Sequence, residues 1–278
     1  MAIRRALIAV GISMGCAGAP PVAPVAPEAL QAERLAITDQ TLSGFTAEAR
    51  FELTNTGETP MQITGATYDL TMDGKPLTAG QMDLDQTASP GAIVSLRVPV
   101  SAEVVHNGDE LKAMVARGDS PIPLLMKGTI KTSQGGTQSE IPFSRTGELR
   151  APRLPVPRMN DTALGRSDQD VTVSFYFGLE NQNPFEIKVK NITYKAVVDG
   201  KEIGSGTASI GDRLPASQTA EYPIQENVLN LDRSKTEIPY RFSGSVDLGL
   251  VQVPIDLTGT MKFEASKSMH KKKHKEEE

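Results

Sequence analysis

Residues 183–206, NPFEIKVKNITYKAVVDGKEIGSG, carry the pattern from which the architecture can be read. The segment opens on a turn, alternates through Ile192, Tyr194, Ala196 and Val198, turns again at Asp199-Gly200 and ends on small residues. Apolar and polar residues alternating with period two read as a half-buried strand. Asp-Gly suits the positive φ angles that a type I′ turn needs at both central positions, so a second antiparallel strand follows. Residues 59–80, TPMQITGATYDLTMDGKPLTAG, say nearly the same thing 126 positions earlier. At that offset Thr46, Phe51, Leu53, Asn55, Thr67, Tyr68, Asp73, Gly74, Lys75 and Gly80 all recur without a gap. A repeat of such long period is a duplicated domain and not a solenoid.

The same alternation extends outward. Phe45, Ala47, Ala49, Phe51 and Leu53 form one apolar face, matched by Val171, Val173, Phe175, Phe177 and Leu179. Ala66, Tyr68, Leu70 and Met72 match Ile192, Tyr194, Ala196 and Val198. Further strands are expected at 93–100, 124–132 and 138–145, with partners at 219–224, 240–248 and 251–262. Pro123 and Pro239 precede equivalent strands, and Gly135-Gly136 reads as a hairpin turn. Residues 102–117 and 225–234 have room for a helical turn or two. Many short strands with Gly and Pro at the turns predict an all-β fold of two tandem immunoglobulin- or fibronectin-III-like sandwiches.

The 278 residues suffice for two such domains, each with its own core. A formal charge of −5 argues against a nucleic-acid partner, because phosphate binding wants a basic face. A single cysteine excludes an intramolecular disulfide and a multi-cysteine zinc site.

That cysteine, Cys16, follows Arg4-Arg5 and an apolar run from Ala6 to Ile12. The run is too short to span a bilayer and has the size of a signal-peptide core. Gly15-Cys16-Ala17 resembles a bacterial lipoprotein lipobox, in which the thiol is acylated, although Ser13 stands where that pattern has Leu. The alternative is an ordinary cleaved signal in which Cys16 is incidental. Pro20, Pro21, Pro24 and Pro27 then describe a semi-rigid spacer. The expected layout is a signal peptide at 1–15, a Pro/Ala-rich tether at 16–30, sandwiches at 31–150 and 151–264, and a charged, disordered tail at 265–278. With no Asp after Cys16, the expected location is the periplasmic side of a bacterial outer membrane.

Phe177-Gly-Leu-Glu-Asn-Gln-Asn-Pro184, with Ile187, Ile192, Tyr194, Val198, Asp199-Gly200 and Gly204-Ser-Gly206, resembles the water-stress and hypersensitive-response domain of the late-embryogenesis-abundant type 2 family. The likeness covers most of 165–262 and extends less sharply over 35–149. There Asn55 and Pro60 are separated by what reads as an insertion, TGET, and the Asn-Pro pair is lost. The resemblance implies a folded sandwich and a role in dehydration or osmotic stress. It also marks Asn55, Pro60, Gly74, Asn181, Asn183, Pro184 and Gly200 as motif positions. A structural role is the favoured reading for the asparagines, since Asn tolerates left-handed φ and bonds its own backbone.

Chemistry is sparse. His106 stands alone in a polar loop, and no base is available to activate a nucleophile. Asp83 and Asp85 share one face of a strand, which reads as a solvated edge and not as a calcium loop. Asn160-Asp-Thr162 matches a glycosylation acceptor that means little in a bacterial protein. His270, His274 and the lysines of 271–275 read as a solvated terminus. The sharper alternative is contact with anionic headgroups or wall polymer, or weak metal binding by the two histidines. No catalytic residue, metal or cofactor is expected, and no enzyme. The expected function is a non-catalytic, lipid-anchored envelope protein protective in desiccation, with the membrane as partner through Cys16. Two alternatives are a module binding lipid or another apolar ligand, in a cavity lined by Phe175, Phe177, Tyr194 and Phe242, and a structural or adhesive protein with an unidentified envelope partner. An adhesive protein would present an exposed apolar or edge-strand patch.

Overall fold

The structure is a computed structural model that describes residues 30–32, 35–166, 171–209, 213–228 and 235–262. Cys16, the signal peptide, nearly all of the tether and the charged tail lie outside the described residues. In the first half the elements are β1 (Leu30–Ala32), β2 (Ala36–Gln40), β3 (Gly44–Thr54), β4 (Met61–Met72), β5 (Lys75–Ala88), β6 (Ile93–Glu103), α1 (Gly108–Val115), β7 (Ile122–Gln134) and β8 (Thr137–Leu149). In the second half they are β9 (Val156–Arg166), β10 (Val171–Glu180), β11 (Ile187–Lys188), β12 (Asn191–Val198), β13 (Lys201–Ser209), β14 (Arg213–Leu214), β15 (Thr219–Val228), β16 (Glu237–Asp247) and β17 (Gln252–Lys262).

Each half stacks two sheets face to face, with all pairings antiparallel. In the first, β3 lies between β6 and the successive short strands β1 and β2, facing the sheet β5-β4-β7-β8. In the second, β15-β10-β9 faces β13-β12-β16-β17. This is the all-β sandwich that the alternation predicts. Both Asp-Gly turns have positive φ at both residues: 53° and 74° at Asp73-Gly74, 51° and 75° at Asp199-Gly200. Gly135 and Gly136 close the β7–β8 hairpin in the same way.

The inward faces are the expected ones. Phe51, Leu53, Ile63, Leu70 and Leu96 are buried in one half, and Phe175, Phe177, Ile192, Ala196 and Phe242 in the other. Three strands, β1, β2 and β9, carry no usable alternation. β9 has no fully buried side chain among its described residues; its backbone ladder to β10 is joined by the half-buried Met159 and Leu164, which pack against the second core. A helical turn or two was expected in each of two links, but the two links differ. Residues 102–117 contain α1, whereas Gln225–Val228 continues β15 and the rest of 225–234 is outside the described residues.

The buried side chains form two clusters, one per sandwich, with a telling exception. Leu42, Val105 and Leu111 come from the first half but belong to the cluster of the second, while Val104 and Met114 pack against both. Helix α1 therefore joins the two bodies.

Candidate functional site

The motif asparagines prove to be twin clasps. Asn55 and Asn181 are each 1% exposed, at the end of β3 and β10. Asn55 Oδ1 accepts the Gly57 N–H at 3.0 Å, and its amide donates to the carbonyls of Thr59 at 2.9 Å and Ala88 at 2.8 Å. Asn181 repeats this position by position, accepting from Asn183 N–H at 2.9 Å and donating to Phe185 at 2.8 Å and Leu214 at 3.2 Å. One buried side chain thus ties a turn to the far end of the adjoining hairpin, satisfying backbone groups that would otherwise be stranded.

The conserved geometry corrects the reading of TGET. No residue is inserted: Gly57 occupies the place of Asn183, Glu58 that of Pro184 and Pro60 that of Glu186. Gln134 compensates for the missing amide. Its side chain fills the space where a Cβ on Gly57 would sit, and donates to Asn55 Oδ1 at 3.1 Å and to Thr59 O at 2.7 Å. In the second sandwich Asn183 itself donates to Asn181 Oδ1 at 2.9 Å. It also holds the segment joining the halves, accepting from Arg153 N–H and donating to Arg153 C=O, both at 2.7 Å. Arg153 in turn pairs with Asp119, from the link after α1.

This motif end of the second sandwich meets the β2–β3 end of the first, and a cleft of about 1150 Å³ lies between them. Pro184, exposed, stands on its rim. One wall, from β2 and the end of β8, presents Asp39, Glu148 and Arg150. The other presents Lys188 and Arg213, which are paired across β11 and β14, and Lys190. Arg213 Nη1 meets Glu186 Oε1 at 2.9 Å. Between the walls lie Phe185, Leu248 and Leu250. Gln40 Nε2 bonds Arg150 O at 2.8 Å. Sequence reading missed these charged positions, because exposed Lys, Arg and Asp carry no periodic signal.

Elsewhere the structure offers little chemistry. His106 is exposed, its Nδ1 3.2 Å from Glu110 Oε2. Asp83 and Asp85 are exposed on β5, an edge strand. Asn160 lies within β9 and donates to Glu221 at 3.0 Å. Phe175, Phe177 and Tyr194 pack on Phe242 at centroid distances of 5.3, 5.7 and 5.6 Å, so these rings fill the space they were expected to line. Among the described residues no group of three or more His, Cys, Asp or Glu side chains is placed to hold a metal ion. No helix there is long and apolar enough to cross a membrane. Ile93 and Val156 are the large apolar side chains exposed there, on different sheets, and they make no patch.

The clasp, the Asp-Gly hairpin and the sandwich agree with the comparison with known families. Residues 50–147 match the family model of the late embryogenesis abundant protein. The late-embryogenesis-abundant match thus falls on the first sandwich, the copy whose motif is less sharp. No curated protein matches the chain. Among solved structures, a protein from Archaeoglobus fulgidus is similar at 17% identity and a TM-score of 0.35, covering 45% of this chain and 99% of that one. A calcium-binding mutant of Bacteroides uniformis β-glucuronidase 2 is similar at 12% identity and a TM-score of 0.28, covering 85% of this chain and 28% of that one. A β-galacturonidase from Eisenbergiella tayi is similar at 12% identity and a TM-score of 0.26, covering 85% and 44%.

Proposed function

We propose that the protein is a non-catalytic component of the bacterial envelope, anchored by acylated Cys16 and protective when water is scarce. The observation that carries this reading is the late-embryogenesis-abundant match over residues 50–147. The lipobox-like placement of the chain's one cysteine, directly after a signal-sized apolar run, supports the anchor. Two or more acyl chains, at about 0.8 kcal/mol per buried CH₂, make such attachment stable. The body is acidic, and among the described residues Ile93 and Val156 are the large apolar side chains left exposed, the rest being buried or half-buried, which suits a protein that must stay hydrated and soluble.

Two measurements test it. Replacing Cys16→Ser should abolish labelled-palmitate incorporation and move the protein from membranes to the soluble periplasmic fraction. Deleting the gene should lower survival after drying or osmotic shock while leaving ordinary growth unchanged. Retention of the variant on membranes would refute the anchor, and unchanged survival would refute the protective role.

A further inference from the structure

The duplication supplies an internal control for the cleft. Each position on its walls has an equivalent in the other sandwich that faces away from it. Lys188 and Arg213 pair across β11 and β14 where Gln62 and Thr87 pair across β4 and β5, and Lys190 corresponds to Thr64. On the opposite wall, Asp39 pairs with Thr46 where Gly165 pairs with Thr172. Glu148 pairs with Pro123 where Thr260 pairs with Pro239. All ten of these residues are exposed, so the fold requires charge at none of them. Yet in all five comparisons the copy at the cleft is charged and the copy facing away is neutral. Arg150 is not specialised in this way, since its equivalent is Lys262.

The signs are segregated as well. Of these five charged positions, the acids stand on the first sandwich and the bases on the second; Glu186, an acid on the second sandwich where the first has Pro60, is taken up by Arg213. Arg213 is partnered by Glu186, but no ion pair within 4.0 Å is made by Asp39, Glu148, Lys188 or Lys190 among the described residues. The floor has changed in parallel. Phe185 replaces Thr59, and the β16–β17 turn is Leu248-Gly249-Leu250 where the β7–β8 turn is Gly135-Gly136. Opposed walls of opposite net charge, Arg150 standing on the acidic one and Glu186 on the basic one, over an apolar floor complement a ligand that carries an anion, an ammonium and an apolar body.

We propose that the cleft binds a zwitterionic phospholipid. Lys188 and Lys190 take the phosphate, Asp39 and Glu148 the ammonium, and Phe185, Leu248 and Leu250 the start of the acyl chains. The volume exceeds the roughly 300–1,000 Å³ of sites for drug-sized ligands, which leaves room for a headgroup and part of its chains. The lipid is thus placed between the sandwiches, the aromatic core being filled. This site rests on the non-catalytic reading but not on acylation of Cys16 or on stress protection.

The test is calorimetric titration of the full mature chain carrying Cys16→Ser, which removes covalent acyl groups, with dihexanoyl phosphatidylethanolamine below its micelle concentration. Saturable one-to-one binding is expected. Lys188→Gln, Lys190→Thr and Arg213→Thr together give the cleft the residues that the other copy already folds with, and should weaken binding about tenfold or more. Asp39→Asn with Glu148→Thr should weaken the ethanolamine lipid severalfold while leaving dihexanoyl phosphatidic acid, which has no ammonium, unaffected. Absence of saturable binding, indifference to the triple replacement, or equal loss for both lipids in the acid replacements would overturn the proposal. So would equally tight binding of chainless phosphorylethanolamine. A normal desiccation phenotype in the deletion strain would remove the protective role and leave this site standing.

Discussion

A single amide carries much of each sandwich. Asn55 satisfies backbone groups of three separate residues and Asn181 of four, each from a position closed to water. Replacing Asn181→Ala would remove the partner of the carbonyls of Phe185, Leu214 and Pro215 and of the N–H of Asn183 together, and each buried unsatisfied group costs about 1–3 kcal/mol. We expect a loss of about 2–4 kcal/mol in urea unfolding, allowing for partial relief where the turn reaches solvent. Asn55→Ala should cost less than Asn181→Ala. Gln134 Nε2 already bonds Thr59 O at 2.7 Å and would continue to satisfy it. Equal losses for the two would show that Gln134 does not share the work. The sequence marked both asparagines as motif positions but could not show the compensation. Gln134 lies 79 residues from Asn55, and only the folded hairpin brings them together.

Among the elements, what was legible divides cleanly by burial. Strands with one face in the core, such as β3 and β10, announce themselves through alternation, and the Asp-Gly turns through their chemistry. β9 could not be read, because its two core-facing apolar residues, Met159 and Leu164, are half-buried and a bulge between them breaks the period of two. Helix α1 was readable only as a short possibility. It has eight residues, too few to be stable alone, and depends on its cap and its packing. The cap is well made. Asn107 Oδ1 accepts the N–H groups of Asp109 and Glu110 at 3.1 and 3.0 Å. Glu110 reaches back to the His106 N–H at 2.7 Å, a variant of the capping box. That backbone hydrogen bond, with help from the His106 and Asn107 side chains, holds the Glu110 carboxyl below its usual range. A lowered folded-state pKa means that the contribution is complete above the unfolded value, about 4.3 for Glu, and is lost as pH falls through the folded value. Glu110→Gln should therefore lower the melting temperature at pH 7 and flatten its decline between pH 5 and 3. Part of the decline should remain, because Asp73 beside Arg117, Glu202 beside Lys195 and Asp256 beside Arg241 are lowered too. Parallel melting curves against pH for variant and parent would show that the carboxylate has no part in the cap.

For the whole molecule, the two sandwiches are alike in plan but differ in what their ends are made of. The link carrying α1, residues 104–121, is ten residues longer than its counterpart 229–236, and the extra length is spent on joining the bodies. Leu111 on α1 is 0% exposed and lies in the second core cluster, as do Val105 and Leu42. Gly108 packs against the Leu250 carbonyl so closely that a Cβ there would collide with it. The apolar turn Leu248–Val251 is therefore capped by a helix that belongs, in sequence, to the other half. Truncating Leu111→Ala should cost about 2–5 kcal/mol, as other buried leucines do. The loss should fall on the second sandwich, although the mutated residue precedes that sandwich in the chain. Hydrogen exchange should quicken in Val246, Leu248 and Val253, where the β16–β17 hairpin loses its cover, while Phe51 and Leu96 in the first core keep their protection. Loosening confined to the strands around Phe51 would mean that α1 serves only its own half, and the cleft would then lie between bodies free to move apart.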